Sequence, residues 1–132
     1  MLDYYALSKR KNVDKSQIVT IMMVMMASSK RFEIIYPPIT KQHLKAIEPK
    51  FYSLIRKSLE TSLQYQPDVE TTNRKPLKGT IVFGAKWELR FGVRNCFRVF
   101  YRIDYDNKQV ILLAIGQKEG NHLFIGGEEM ES

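Results

Sequence analysis

Five basic residues, Lys86, Arg90, Arg94, Arg98 and Arg102, recur at every fourth position between residues 86 and 102. Residues four apart also meet on a helix, so the spacing alone fits either periodicity. The residues in between decide. Trp87, Leu89 and Phe91 alternate with Lys86, Glu88 and Arg90. Phe97, Val99, Tyr101 and Ile103 then alternate with Arg98, Phe100, Arg102 and Asp104. Aromatic and β-branched residues favour strands. A period of four stays on one face of a strand, whereas it drifts around a helix. Gly92 and Asn95 mark a turn between the two runs. The segment is therefore predicted to be a hairpin with one apolar face. Lys86, Glu88 and Arg90 share the opposite face of its first strand, and Arg98 and Arg102 that of its second.

The flanking sequence completes an α+β pattern. Phe32–Tyr36 reads as a strand stopped by Pro37-Pro38. Thr40 is placed to cap a short helix running to Ile47. Pro49 suits the first turn of a second helix, in which Phe51, Leu54, Ile55, Leu59 and Leu63 recur at helical spacing. Pro67 ends it, and residues 66–79 read as a polar loop. After the hairpin, Asp106-Asn107 signals a turn. Gln109–Ile115 is apolar on both sides, as in a buried central strand. The predicted order is β-α-α-β-β-β, with a helical hairpin packed on an antiparallel sheet over residues 31–132.

Residues 1–30 form a separate region. A charged start, with Lys9, Arg10, Lys11 and Lys15, precedes the apolar run Ile18–Ala27 and then Ser28-Ser29. A run of ten residues is too short to span a bilayer, so no membrane partner is expected. The outline resembles a signal peptide, but Asp3 and Asp14 interrupt the start and Met25 replaces the small residue of a cleavage site. The expectation is an N-terminal extension, loosely ordered or a single helix, with Met22, Met23, Met25 and Met26 as alternative starts.

Charge narrows the function. The chain carries 21 Lys and Arg against 14 Asp and Glu, a net charge of +7. Such a balance suits nucleic acid, an anionic surface or an acidic protein. Residues 74–102 hold eight of the cations, Arg74, Lys75, Lys78, Lys86, Arg90, Arg94, Arg98 and Arg102, with Glu88 as the lone acid. A surface so short of acids suits a polyanion, RNA above all. One cysteine, Cys96, and two histidines, His43 and His122, give neither a disulfide nor a zinc pattern. No metal or cofactor is implied, and the cytoplasm is the expected compartment. Gly79–Lys86 imitates a phosphate-binding loop, but Ala85 separates Gly84 from Lys86 and Trp87 follows. Cys96 with His122 makes a weak nucleophile–base pair, since a lone Cys among strand aromatics is more often core.

The segments Lys75-Pro-Leu-Lys-Gly79, Trp87-Glu-Leu-Arg90, Phe97-Arg-Val-Phe-Tyr-Arg-Ile-Asp104 and Val110-Ile-Leu-Leu-Ala-Ile-Gly116 resemble the RelE/ParE-type toxins of bacterial type II toxin–antitoxin systems. The resemblance covers roughly residues 31–125. It implies two helices on a curved antiparallel sheet, a cognate antitoxin as partner, and either cleavage of mRNA on the ribosome or poisoning of DNA gyrase. A basic interaction module without toxicity is a third reading. In the RNA-cleaving branch, Arg98 matches the central arginine and Arg90 a cation of the preceding strand. Glu88 stands where a second cation is usual, Lys118 where a C-terminal arginine is, and Phe124 where a tyrosine is. The resemblance thus implies Arg98 and Arg90 as phosphate-binding cations, Glu88 as a base, and His122 as base or acid in place of the missing hydroxyl. Arg74, Lys75, Lys78, Lys86, Arg94 and Arg102 are the implied RNA-binding residues.

Overall fold

A computed structural model describes residues 15–29, 31–78 and 84–130, with side chains omitted for 23–29. Residues 1–14, which hold all of the charged start but Lys15, and the Gly79–Phe83 part of the rejected phosphate loop lie outside the described residues. Contacts divide the chain into two units, Met1–Arg31 and Phe32–Ser132. Within the first, Lys15–Ser29 is a helix, α1. Among the described residues no helix is long and apolar enough to cross a membrane.

The second unit is the α+β domain expected from the sequence. Its elements are β1 (Glu33–Ile35), α2 (Pro38–Lys45), a 3-10 turn (Pro49–Phe51) and α3 (Tyr52–Leu63). The strands β2 (Arg74–Pro76), β3 (Trp87–Phe91), β4 (Phe97–Asp104), β5 (Gln109–Glu119), β6 (His122–Ile125) and β7 (Glu128–Met130) follow. Strands β2 to β7 pair in sequence order, and every pairing among them is antiparallel. The exception is β1, which lies parallel to β5. Three short strands, β2, β6 and β7, extend the predicted sheet. Helix α2 also starts earlier than predicted. Pro38 occupies its first turn, where a fixed φ is preorganised and no N–H is needed. Thr40 is therefore inside the helix, and its hydroxyl donates to the Pro37 carbonyl at 2.7 Å instead of capping.

Alternation along the strands sorts the core. Leu89, Phe91, Phe97, Val99 and Tyr101 face the helices and pack with Ile47, Ile55, Leu59, Leu63, Val110, Leu112 and Ile115. Leu54, expected on that stripe, is exposed. The Tyr101 hydroxyl donates to the Pro67 carbonyl at 2.5 Å, tying β4 to the end of the helical hairpin. Burial pushes this phenol well above its ordinary pKa.

Strand β5 is central, and its second edge is shared. There β1 covers residues 109–111 and β6 covers 116–119. In the gap between them the Ile115 N–H donates to Nδ1 of buried His43 on α2, at 3.2 Å. A side chain thus satisfies a backbone donor that the sheet leaves over. Burial lowers the His43 pKa, which keeps Nδ1 free to accept.

Candidate functional site

On the sheet face away from the helices the charges are held in a specific arrangement. Register sets Arg90 directly opposite Arg98 and Glu88 opposite Phe100. Two like charges facing each other across strands repel. Glu88 sits between them: its Oε1 accepts from Arg90 Nε at 2.5 Å and lies 3.7 Å from Arg98 Nη1. Arg98 Nε also donates to the Asn95 carbonyl at 3.1 Å. That carbonyl is presented by the 3-10 turn Val93–Asn95, entered through Gly92 at φ 84°. A Cβ at Gly92 would come within 2.7 Å of the Phe97 ring, so the turn needs glycine here.

The three side chains differ in exposure. Glu88 and Arg98 are each only 11% exposed, whereas Arg90 is 43% exposed. Burial lowers the Arg98 pKa, the charge of Arg90 lowers it further, and Glu88 opposes both. A guanidinium remains charged under such shifts. The result is one sheltered and one accessible arginine aligned by a shared carboxylate. Planar N–H groups of this kind suit the oxygens of a phosphate.

Gly116 of β5 is paired with Arg98. A Cβ there would approach the Phe124 carbonyl to 2.8 Å, so its smallness lets β6 close against β5. Lys118, two residues on, shares the Arg98 face by alternation, and its N–H donates to the Cys96 carbonyl at 2.6 Å. The same face is not wholly basic. Phe100, Ala114 and Ile125, with Ala85, form a second apolar cluster edged by Leu77, Leu113, Leu123 and Met130. The basic surface expected opposite the core is therefore a charged row beside an apolar patch.

Several predicted site residues lie elsewhere. His122 pairs with Glu119, and Leu123 with Lys118. Leu123 and Ile125 consequently share the Arg98 face, while His122 and Phe124 point to the helix side. His122 Nδ1 contacts Glu129 Oε1 there. His122 therefore does not join the arginines as base or acid, and Phe124 does not occupy a place beside them. Glu88, predicted as a base, has its carboxylate engaged by two guanidiniums. Arg74 is only 8% exposed. It faces inward opposite Leu89, and its guanidinium donates to the Val69 and Ser62 carbonyls at 2.9 and 2.6 Å. Its terminal nitrogens brace these carbonyls, and it is not part of the exposed basic surface. Lys75, Lys78, Lys86, Arg94 and Arg102 are all exposed. Lys75 pairs with Glu88 and Arg102 lies two residues beyond Phe100, so both stand on the charged face.

Sequence reasoning missed His43, counted only as one of two histidines, and read Asn95 only as a turn residue, without the carbonyl that orients Arg98. Neither role left a motif, because each depends on a partner that the folded sheet brings into reach.

No protein-family model matches the chain, and no curated protein matches its sequence. A match exists among solved structures. The chain is similar to a chain of the RelBE2 toxin–antitoxin complex from Mycobacterium tuberculosis, with a TM-score of 0.54 and 19% identity. The match covers 67% of this chain and 99% of that one. What the two share is the fold, a helical hairpin on a curved, largely antiparallel sheet.

Proposed function

We propose that this chain is a RelE-type toxin that cleaves mRNA on the ribosome and is neutralised by a cognate antitoxin. The observation that carries the reading is the Arg90–Glu88–Arg98 cluster, two guanidiniums aligned across β3 and β4 by one carboxylate. In the proposed reaction the 2′-OH gives its proton to water as it attacks the adjacent phosphorus, the bond from phosphorus to the 5′-oxygen breaks, and that oxygen takes a proton from water. The products are a 2′,3′-cyclic phosphate and a 5′-OH end. Arg98 and Arg90 neutralise the charge that builds on the phosphorane oxygens, and donors preorganised in this way contribute most when charge develops. Glu88 positions both arginines. Lys118 adds a further cation on the same face. The apolar cluster around Phe100 and Ile125 beside the cations suits an acidic, amphipathic antitoxin segment, and the structural neighbour belongs to a toxin–antitoxin complex.

The placement of His122 and Phe124 on the other face favours a second reading, a non-catalytic toxin that binds DNA gyrase. Induced expression in a bacterial host separates the two. The RNA reading expects growth arrest with new 5′ ends in ribosome-associated mRNA. Arrest with intact mRNA and altered DNA supercoiling would assign gyrase instead.

A further inference from the structure

Between α3, the Thr71–Arg74 segment and the end of β3 lies a cleft of about 350 Å³, walled in part by Lys57, Ser58, Thr61, Thr71, Arg74 and Arg90. Three of these are cations, and no carboxylate among the described residues lines it. Thr71 Oγ1 accepts the N–H groups of Asn73 and Arg74 at 3.2 and 3.0 Å, which leaves its own proton to donate. Arg74 supplies the second, independent observation. It is 92% buried, its two terminal nitrogens are bonded to carbonyls, and its Nε has no hydrogen-bond partner among the described residues. A buried charged donor left unmet is costly and seldom kept without a partner. Arg90 belongs to both places: its guanidinium holds Glu88, and the residue walls the cleft.

We propose that this cleft binds a phosphate group, received by Arg74 Nε with Lys57 and the wall hydroxyls. Resting on the RNA reading above, the group is a backbone phosphate of the same strand whose scissile phosphate lies at Arg98, with Arg90 between the two places. The planar guanidinium and flanking hydroxyls match phosphate oxygens, and the cation excess favours an anion over a neutral ligand.

The test follows the arginine Nε–H signals by NMR in the full chain. Inorganic phosphate and a 2′-O-methyl RNA hexamer, which cannot be cleaved, are titrated separately and then in competition. Both should shift the Arg74 signal saturably and compete with each other. Lys57→Glu, at an exposed helix position, should weaken both at least ten-fold with the thermal unfolding profile retained. A hexamer that shifts Arg98 but leaves Arg74 unmoved would overturn the cleft and leave the RNA reading standing. Phosphate binding at Arg74 with no hexamer binding anywhere would keep the phosphate site and overturn the RNA reading and its strand path. A shift produced by a glutamate-rich peptide and not by phosphate would give the cleft to a protein partner and overturn the proposal.

Discussion

The two faces of the β3–β4 hairpin are built from alternate residues of the same strands, yet they follow different rules. On the helix side Leu89, Phe91, Phe97, Val99 and Tyr101 are closed into a continuous apolar core. On the other side Glu88, Arg90 and Arg98 are drawn together, two of them nearly out of solvent, beside a small apolar cluster. The first face gains stability from area removed from water. The second bears the desolvation of charges and recovers part of it through pairing. Polar groups held at such a cost, on a face the core does not require, are where function is expected.

Three substitutions sharpen this contrast. Phe97→Ala strikes the helix-side face, where the ring lies 5.2 Å from Phe51 and 5.6 Å from Phe91 between centroids. It should cost about 3–5 kcal/mol in chemical denaturation, the usual price of an emptied aromatic site. Glu88→Gln strikes the other face. It removes the carboxylate that separates two opposed guanidiniums, and a loss of about 2–3 kcal/mol is expected from breaking charged hydrogen bonds. A loss as large as that of Phe97→Ala would mean that the charged cluster is a second structural core.

His43→Leu probes the join between α2 and β5. It leaves the Ile115 N–H without its acceptor, and about 1–2 kcal/mol should be lost. The sign of its pH dependence follows from the direction of the shift. Burial holds the folded pKa below the ordinary 6.5, so the unfolded chain takes up the proton first. Wild-type stability should be full above about pH 6.5 and fall as the pH drops below it. In His43→Leu that part of the acid sensitivity should vanish, as read from unfolding curves at pH 5 and pH 7.5.

The hairpin and β5 were legible in the sequence because period-two alternation spans whole strands there. The strands β2, β6 and β7 were not. Each is only three or four residues long, and β2 contains Pro76. Within the site, the facing of Arg90 and Arg98 was legible from parity. The fate of individual cations was not, because a buried Arg74 bonded to carbonyls and an exposed Lys75 look alike in a run of basic residues. The misplacement of His122 has a plain cause. The tight turn at Gly120-Asn121 pairs Glu119 with His122, and this fixes Leu123 and Ile125 as the residues facing Arg98. Read as a strand, His122–Ile125 alternates in that sense, but four residues gave too short a pattern to fix its faces.

The central claim is that the sheltered guanidinium of Arg98 acts on phosphate and does not merely support the sheet. The most direct measurement compares cleavage of ribosome-bound mRNA by the wild type, Arg98→Lys and Arg98→Ala, with unfolding curves recorded on the same samples. The expected result is a loss of about 10²–10³ in cleavage rate for Arg98→Ala, partial recovery in Arg98→Lys, which lacks the planar fork, and cooperative unfolding in all three. Undiminished cleavage by a folded Arg98→Ala would contradict the account.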